Sequence, residues 1–387
     1  PEVHEGVSPD EDVQRSVDEP RPIQEVKQEA VKKEHLLVIR FSAMGDVAMV
    51  VPVVYSVAKA YPDVRITVLS RGYARAFFEG LADNVHFMEA DVKHEYHGIR
   101  GLNALYRRLA AKQFTAVADL HGVLRSGYLR LRFNLNHYLV EHIDKHRKGR
   151  HRIVAKRHKR LTQQPTSFQN YLDVFRKLGY PVDIRFHSIF DTTPTGKGDL
   201  GQLPAALSSL VSSGAPLIGL APFAAHEGKV YPPALMQQVI EHLTKQYPQG
   251  RIFLFGRGAN EDHYFDIWCQ LYSQCVHVGK RVESIQQELI LMSHLQVMVS
   301  MDSSNMHMAS LVGLPVVSVW GATHPYAGFM GWGQSQENAV QVDLDCRPCS
   351  IFGQKPCRRG DFACMRSIPP TAIIEKVERI LRLSSSE

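Results

Sequence analysis

The sequence is poor in several things, and each shortage narrows the reading. Six cysteines in 387 residues are too few for a disulfide scaffold, so a cytosolic setting is the default expectation. No apolar run reaches the length needed to cross a bilayer. No G-x-G-x-x-G fingerprint opens the first strand–helix unit, which weakens any nicotinamide reading. No sequence repeat is visible. The opening segment, 1–34, is poor in aromatics and carries ten acidic against five basic side chains. It cannot bury enough apolar area to offset its chain entropy and is expected to be a disordered or weakly helical acidic tail. It lacks the apolar core and cleavage site of a secretory signal. It opens on Pro1, not Met, as a fragment would.

What remains is the balance of a soluble globular chain, with 44% hydrophobic and 22% charged residues. The length suits two domains better than one core. The formal charge of +6 is spread unevenly: 145–160 holds nine Lys or Arg and three His with no acid. Such a block points to an anionic partner.

Strand-like runs at 35–40, 65–70, 85–88 and 115–120 alternate with helical stretches at 47–60, 74–81 and 102–112, and a helix at 163–180 closes this half. Pro, Gly and Ser crowd 191–215, which reads as a linker. The alternation then resumes with strands at 216–221, 251–255, 297–300 and 316–320. Helices are predicted at 233–247, 260–272, 285–293, 306–312 and 371–383. Alternating strands and helices imply an α/β chain with two doubly wound, Rossmann-like sheets. The predicted domains are 35–190 and 216–387, facing a cleft where ligands meet the strand C-termini.

Four stretches carry chemistry. F-S-A-M-G-D at 41–46 joins the first strand to its helix. Gly45 permits a tight turn, and Asp46 is either an N-cap or a carboxylate presented to the cleft. M-D-S-S-N-M-H-M at 301–308 sets Asp302, Ser303 and Ser304 before a helix whose free N–H groups and dipole suit a diphosphate. His307 falls in its first turn, as an anion donor or a structural histidine. A-P-F-A-A-H-E-G-K-V-Y-P at 221–232 places Lys229 in a loop at a strand end, as a point charge for phosphate. F-G-R-G-A-N-E at 255–261 allows close backbone approach at Gly256 and offers Glu261 to ribose hydroxyls.

The run H-L-L-V-I-R-F-S-A-M-G-D-V, followed later by D-S-S-N-M-H-M-A-S-L-V-G-L-P-V-V-S-V-W-G-A-T-H-P, resembles the bacterial heptosyltransferases of glycosyltransferase family nine. D-L-H-G-V-L-R-S at 119–126 and K-V-Y-P at 229–232 resemble further motifs of that family, so the likeness spans about 35–383. It implies the GT-B architecture and metal-independent, inverting transfer of a heptose from ADP-heptose. The acceptor it implies is the lipopolysaccharide inner core of Gram-negative cells, as Kdo-lipid A or heptosylated core. Position by position, it implies Asp46 as general base, Lys229 as phosphate ligand, Glu261 at the ribose and Asp302 at the donor sugar. Ser303, Ser304 and His307 fall around the diphosphate. Arg40, Arg71, His121 and Arg125 are the acceptor-side candidates. The hydroxyl residues that the family often has before the lysine loop are here Phe223, Ala224 and Ala225, which puts the donor in question. Two other readings stand: a transferase using another nucleotide sugar for a surface glycan, and a protein that binds an anionic polymer.

The basic block is read as a solvated loop, or as a contact for acidic core sugars and the anionic inner leaflet, which would make the protein peripheral there. No aromatic interrupts it, which argues against nucleic acid. Cys346, Cys349, Cys357 and Cys364 resemble a zinc knuckle only in the first pair. Structural zinc, reduced thiols and a disulfide all remain open.

Overall fold

The computed structural model describes residues 33–213 and 215–386. The tail expected over 1–34 lies, but for its last two residues, outside them. Residues 34–387 form one compact unit that carries two all-parallel sheets.

The first sheet is built from β1 (His35–Ile39), β2 (Arg65–Ser70), β3 (Val85–Glu89), β4 (Ala116–Asp119) and β5 (Leu139–His142), in the order β3-β2-β1-β4-β5. The central strand β1 is buried throughout, which explains its unbroken apolar run. It pairs with β2 (Leu37 with Thr67) and with β4 (Ile39 with Asp119). The second sheet holds β6 (Leu217–Ala221), β7 (Arg251–Leu254), β8 (Cys275–His277), β9 (Val297–Met301), β10 (Val316–Val319) and β11 (Ala339–Val340), in the order β11-β10-β9-β6-β7-β8. In both sheets the chain starts in the middle and winds outward in two directions. Each thus has a switch point beside its first strand, where α/β sheets bind ligands.

The helix expected over 47–60 is two helices, Met44–Ala48 and Val50–Ala60. Pro52 is the reason: it has no N–H to bond the carbonyl of Ala48, so the first helix stops and a second starts. The stretch read as a linker is packed as well. It carries a helix, Ala205–Ser213, whose Leu207 and Val211 are buried. A Cβ on Gly198 would stand 2.9 Å from the Ile290 backbone. One apolar cluster consequently runs through both sheets, from Val38 and Phe175 to Met298 and Trp320. On the far side of the second sheet, Ile373, Val377 and Ile380 of the last helix, Pro370–Ser384, fill a separate core. Among the described residues no helix is long and apolar enough to cross a membrane.

Candidate functional site

A cleft of about 570 Å³ opens at the strand C-termini of the two sheets. The loop after β1 supplies Ala43, Met44, Gly45 and Asp46. The loops after β6, β7 and β9 supply Lys229, Gly256, Glu261, Asp302, Ser303, Ser304 and His307. Two motifs more than 250 positions apart in sequence therefore share one wall-to-wall space.

On the first wall, Asp46 is the third residue of the Met44–Ala48 helix, and its Oδ2 accepts from the backbone N–H of Ala43 at 3.3 Å. The same oxygen meets Arg40 Nη2 at 2.9 Å. Asp46 is thus not the N-cap, which is Ala43, although one of its oxygens accepts from the Ala43 N–H at the helix start. Oδ1 takes no hydrogen bond from the described residues and is left to the cleft. Arg40 is buried and is anchored from behind, where Nη1 donates to the Leu120 carbonyl at 2.8 Å. Gly45 lies against the opposite wall: a Cβ there would fall 2.8 Å from His307 Cδ2.

On the second wall, Lys229 Nζ meets Asp302 Oδ2 at 3.1 Å, and Thr323 Oγ1 donates to that oxygen at 2.9 Å. The helix Ser304–Leu311 starts behind Ser303, whose side chain makes no capping bond to it. Its first N–H groups are therefore uncapped by Ser303, and Ser303, Ser304 and Asn305 line the cleft. Glu261 sits in the first turn of the helix Ala259–Leu271. Gly258, at φ 141°, makes room for it, because a Cβ would fall 2.7 Å from Glu261 Oε2. Phe223, Ala224 and Ala225 do line the cleft, so this part of the wall has no side-chain hydroxyls.

Burial lowers the pKa of two histidines near the site, His307 and His121. Desolvation holds His307 below the usual histidine range, opposed by Asp302 and Asp46. Its Nδ1 is buried with no partner among the described residues. His121 is pushed down to about 3 by burial and by the Arg40 and Lys145 charges. Its Nδ1 accepts from Phe41 N at 3.4 Å, which makes it a brace between β4 and β1.

Of the acceptor-side candidates, only Arg40 touches Asp46. Arg71 lies over the Tyr73 ring at 5.5 Å, and Arg125 is exposed on the helix Leu124–Leu135. Neither lines the cleft. Sequence reasoning missed Arg150, which belongs to the basic block. Its side chain is buried, its guanidinium carbon stands 4.5 Å from the Phe329 ring centre, and it makes no ion pair with a described residue. Burial lowers its pKa, while the nearby Asp46 charge raises it. Glu288 was missed too. It lines the cleft, meets Arg257 Nη2 at 2.6 Å, and is held above the usual carboxyl range by burial against the pull of Arg257. The signal was a single acid among the apolar residues of 285–292.

The basic block is not the plain solvated loop its composition suggests. Arg147–Ile153 is helical, Ile153 packs near Ala327, and Lys159 Nζ donates to the carbonyls of Asp345 and Pro348 at 3.1 and 2.9 Å. The block bridges the two halves.

Cys346, Cys349, Cys357 and Cys364 gather around one cavity of about 20 Å³ and are all free thiols. Among the described residues no three His, Cys, Asp or Glu side chains are arranged to hold a metal ion. The thiols as placed do not form the zinc set that their spacing admits. Burial and the neighbouring thiols raise Cys349 and Cys364 above the usual thiol range.

Residues 102–357, more than half of the chain, match glycosyltransferase family 9 (heptosyltransferase). A lipooligosaccharide heptosyltransferase 2 from Campylobacter jejuni is 21% identical over 178 residues, which is 44% of this chain and 53% of that protein. The chain thus spans about half the length of the curated relative it matches. Solved structures share the fold across most of their length. E. coli heptosyltransferase WaaC with ADP-2-deoxy-2-fluoro heptose has a TM-score of 0.62 at 16% identity, covering 89% of this chain and 99% of that one. A family 9 glycosyltransferase from Veillonella parvula reaches 0.66 at 16% identity, with coverage of 91% and 98%. E. coli ADP-heptose lps heptosyltransferase II gives 0.62 at 16%, with 91% and 99%. The two-sheet arrangement is that of the GT-B glycosyltransferases.

Proposed function

The chain belongs to glycosyltransferase family 9, the heptosyltransferases, and on that premise we propose that it moves a heptose from ADP-heptose to a lipopolysaccharide inner-core acceptor. One observation carries the reading: a single cleft sets Asp46 on one wall against Lys229, Asp302 and the start of the Ser304–Leu311 helix on the other. The half at 35–190 serves the acceptor and the half at 216–387 serves the donor.

The acceptor hydroxyl attacks the anomeric carbon from the side opposite the diphosphate, so the centre inverts. As the new C–O bond forms, the hydroxyl proton passes to Asp46 through Oδ1, the oxygen not engaged by Arg40. The bond to the diphosphate breaks with its electron pair, and ADP departs. Lys229 and the helix N–H groups at 303–307 offset the charge that grows on the leaving oxygens. Asp302 keeps Lys229 oriented until the diphosphate arrives and then faces the sugar. Glu261 accepts from the ribose hydroxyls, with Gly256 letting the nucleotide approach the backbone. None of these roles calls on a metal.

The hydroxyl-free wall at 223–225 is compatible with another nucleotide sugar, and a panel of nucleotides separates the two. ADP should raise the melting temperature more than UDP or GDP at equal concentration, because only a ligand bound by the folded state stabilises it. Equal shifts for all three, or a larger one for UDP, would count against a heptose donor. No shift with any nucleotide, together with binding to an anionic polymer, would favour the polymer-binding reading. The acceptor is Kdo-lipid A or a heptosylated core, reached from the cytoplasmic face of the inner membrane with the basic block near the anionic leaflet.

A further inference from the structure

Half of the large apolar side chains that the described residues leave exposed fall in one short segment: Val123, Leu124, Leu131, Leu135 and Leu139. On the helix Leu124–Leu135, Leu124, Tyr128, Leu131 and Leu135 recur at intervals of four, three and four. They form one narrow stripe along the outer face. Leu124 is 95% exposed, Leu135 66% and Leu131 53%. The inner face does the packing, through Leu129 and Phe133 in the core below the first sheet. The stripe is thus a second apolar face that the fold does not use, on a helix whose core-facing side is already satisfied.

Its charge surroundings indicate what covers it. The neighbouring helix Gly98–Ala110 lies alongside, tied by Arg132 to Asn103 and by Asn136 to Tyr106. The two helices carry six arginines and no Asp or Glu. A groove beside them joins Arg130 and His142 to Lys145, Arg147 and Lys148 of the basic block, with Glu141 and Asp144 as the acids on its wall. A leucine stripe among predominantly positive side chains suits an anionic lipid surface. A second copy of the chain would bring arginine against arginine, since a two-fold interface matches a patch with itself.

We propose that the outer face of the Leu124–Leu135 helix docks the protein on anionic bilayers, with the leucines entering the interface and the arginines meeting the head groups. The helix begins directly after β4, whose Asp119 pairs with Ile39 at the end of β1. Leu124 therefore stands at the same end of the sheet as Asp46. A bilayer seated on the stripe lies against the half that carries Asp46, the side from which a lipid-anchored acceptor would be presented. The biological sense of this rests on the transferase reading above, whereas the lipid contact itself does not.

The test is sedimentation of the full chain with vesicles of phosphatidylethanolamine and about a quarter phosphatidylglycerol. The wild type should bind them, bind phosphatidylcholine vesicles far less, and release as salt is raised. The variant Leu124→Ser, Leu131→Ser, Leu135→Ser should partition on the order of tenfold or more less well, with unchanged melting temperature. Leu131→Trp should bind at least as well as wild type, with its emission shifted to the blue on vesicles. The triple variant should keep its transfer rate on a delipidated, water-soluble core acceptor. No wild-type binding, equal binding by the triple variant, or a wild-type dimer that the triple variant breaks would overturn the proposal. Loss of rate on the soluble acceptor would overturn it too, by placing the helix in the reaction. If neither protein transfers sugar at all, the transferase reading fails, while the vesicle result still decides the docking.

Discussion

Lys229 and Arg150 show how differently two cations, one half-buried and one buried, can be held. Lys229 sits against Asp302 at 3.1 Å; a loop lysine alone is a weak signal, and it is the likeness of K-V-Y-P at 229–232 to a family motif that singles it out. Lys229→Ala should weaken ADP binding by about 1–3 kcal/mol, the range for losing a charge-assisted hydrogen bond. Unchanged affinity by calorimetry would remove it from the site. Arg150 could not be read in advance, since a run of nine like charges gives no sign of which member turns inward. The fold buries it without an ion pair, its Nε unpartnered and Asp46 felt only at longer range, an arrangement that costs stability until an anion arrives. Arg150→Gln should therefore stabilise the free protein, by about 1 kcal/mol in urea melts, and raise the acceptor KM about tenfold or more with ADP affinity unchanged. A destabilised variant with normal acceptor KM would make Arg150 a structural residue.

At the scale of elements, the two helix starts that face each other across the cleft were the most readable parts. Each follows a buried strand and opens on a turn or cap residue, so the strand–loop–helix passage is written in the local pattern. Their closeness was not, since nothing local says that Gly45 lies against His307. Gly45→Ala adds one methyl at that contact, and the 2.8 Å approach forces the helices apart. Transfer should fall about tenfold or more, with only a modest change in melting temperature, because misplacing reacting groups costs rate steeply. Near-normal transfer would show that the contact yields without consequence. The missed elements share a cause. β5 and β8 are short, and the helix Leu124–Leu135 carries apolar residues on two faces, which blurs its helical period. The packed helix within the linker stretch 191–215 was not legible, because Pro, Gly and Ser mark turns, and a packed connection also needs turns.

The whole molecule depends on keeping several histidines neutral inside it. His35 and His324 are held at about 4, and His121 at about 3, chiefly by burial. Unfolded histidine titrates near 6.5, so the unfolded chain takes up protons first as the pH falls. Stability should be full above about pH 6.5 and decline as the pH drops toward 5, before most carboxylates titrate. Urea midpoints across that window measure it, and the double variant His35→Gln, His121→Gln should give a shallower slope. A flat profile for the wild type would contradict the burial argument. The division of labour between the sheets belongs to this scale as well. In the proposed reaction one sheet carries the proton acceptor and the other the leaving-group clamp, so the two functions should separate cleanly in a single substitution. Asp46→Asn keeps the side chain's shape, and its amide oxygen can still accept from the Ala43 N–H, but it gives up the ion pair with Arg40 and cannot take the acceptor's proton. On one folded sample of Asp46→Asn, the transfer rate should fall on the order of 100-fold or more while ADP affinity stays at the wild-type value. A variant that turns over at a near-normal rate would contradict the account.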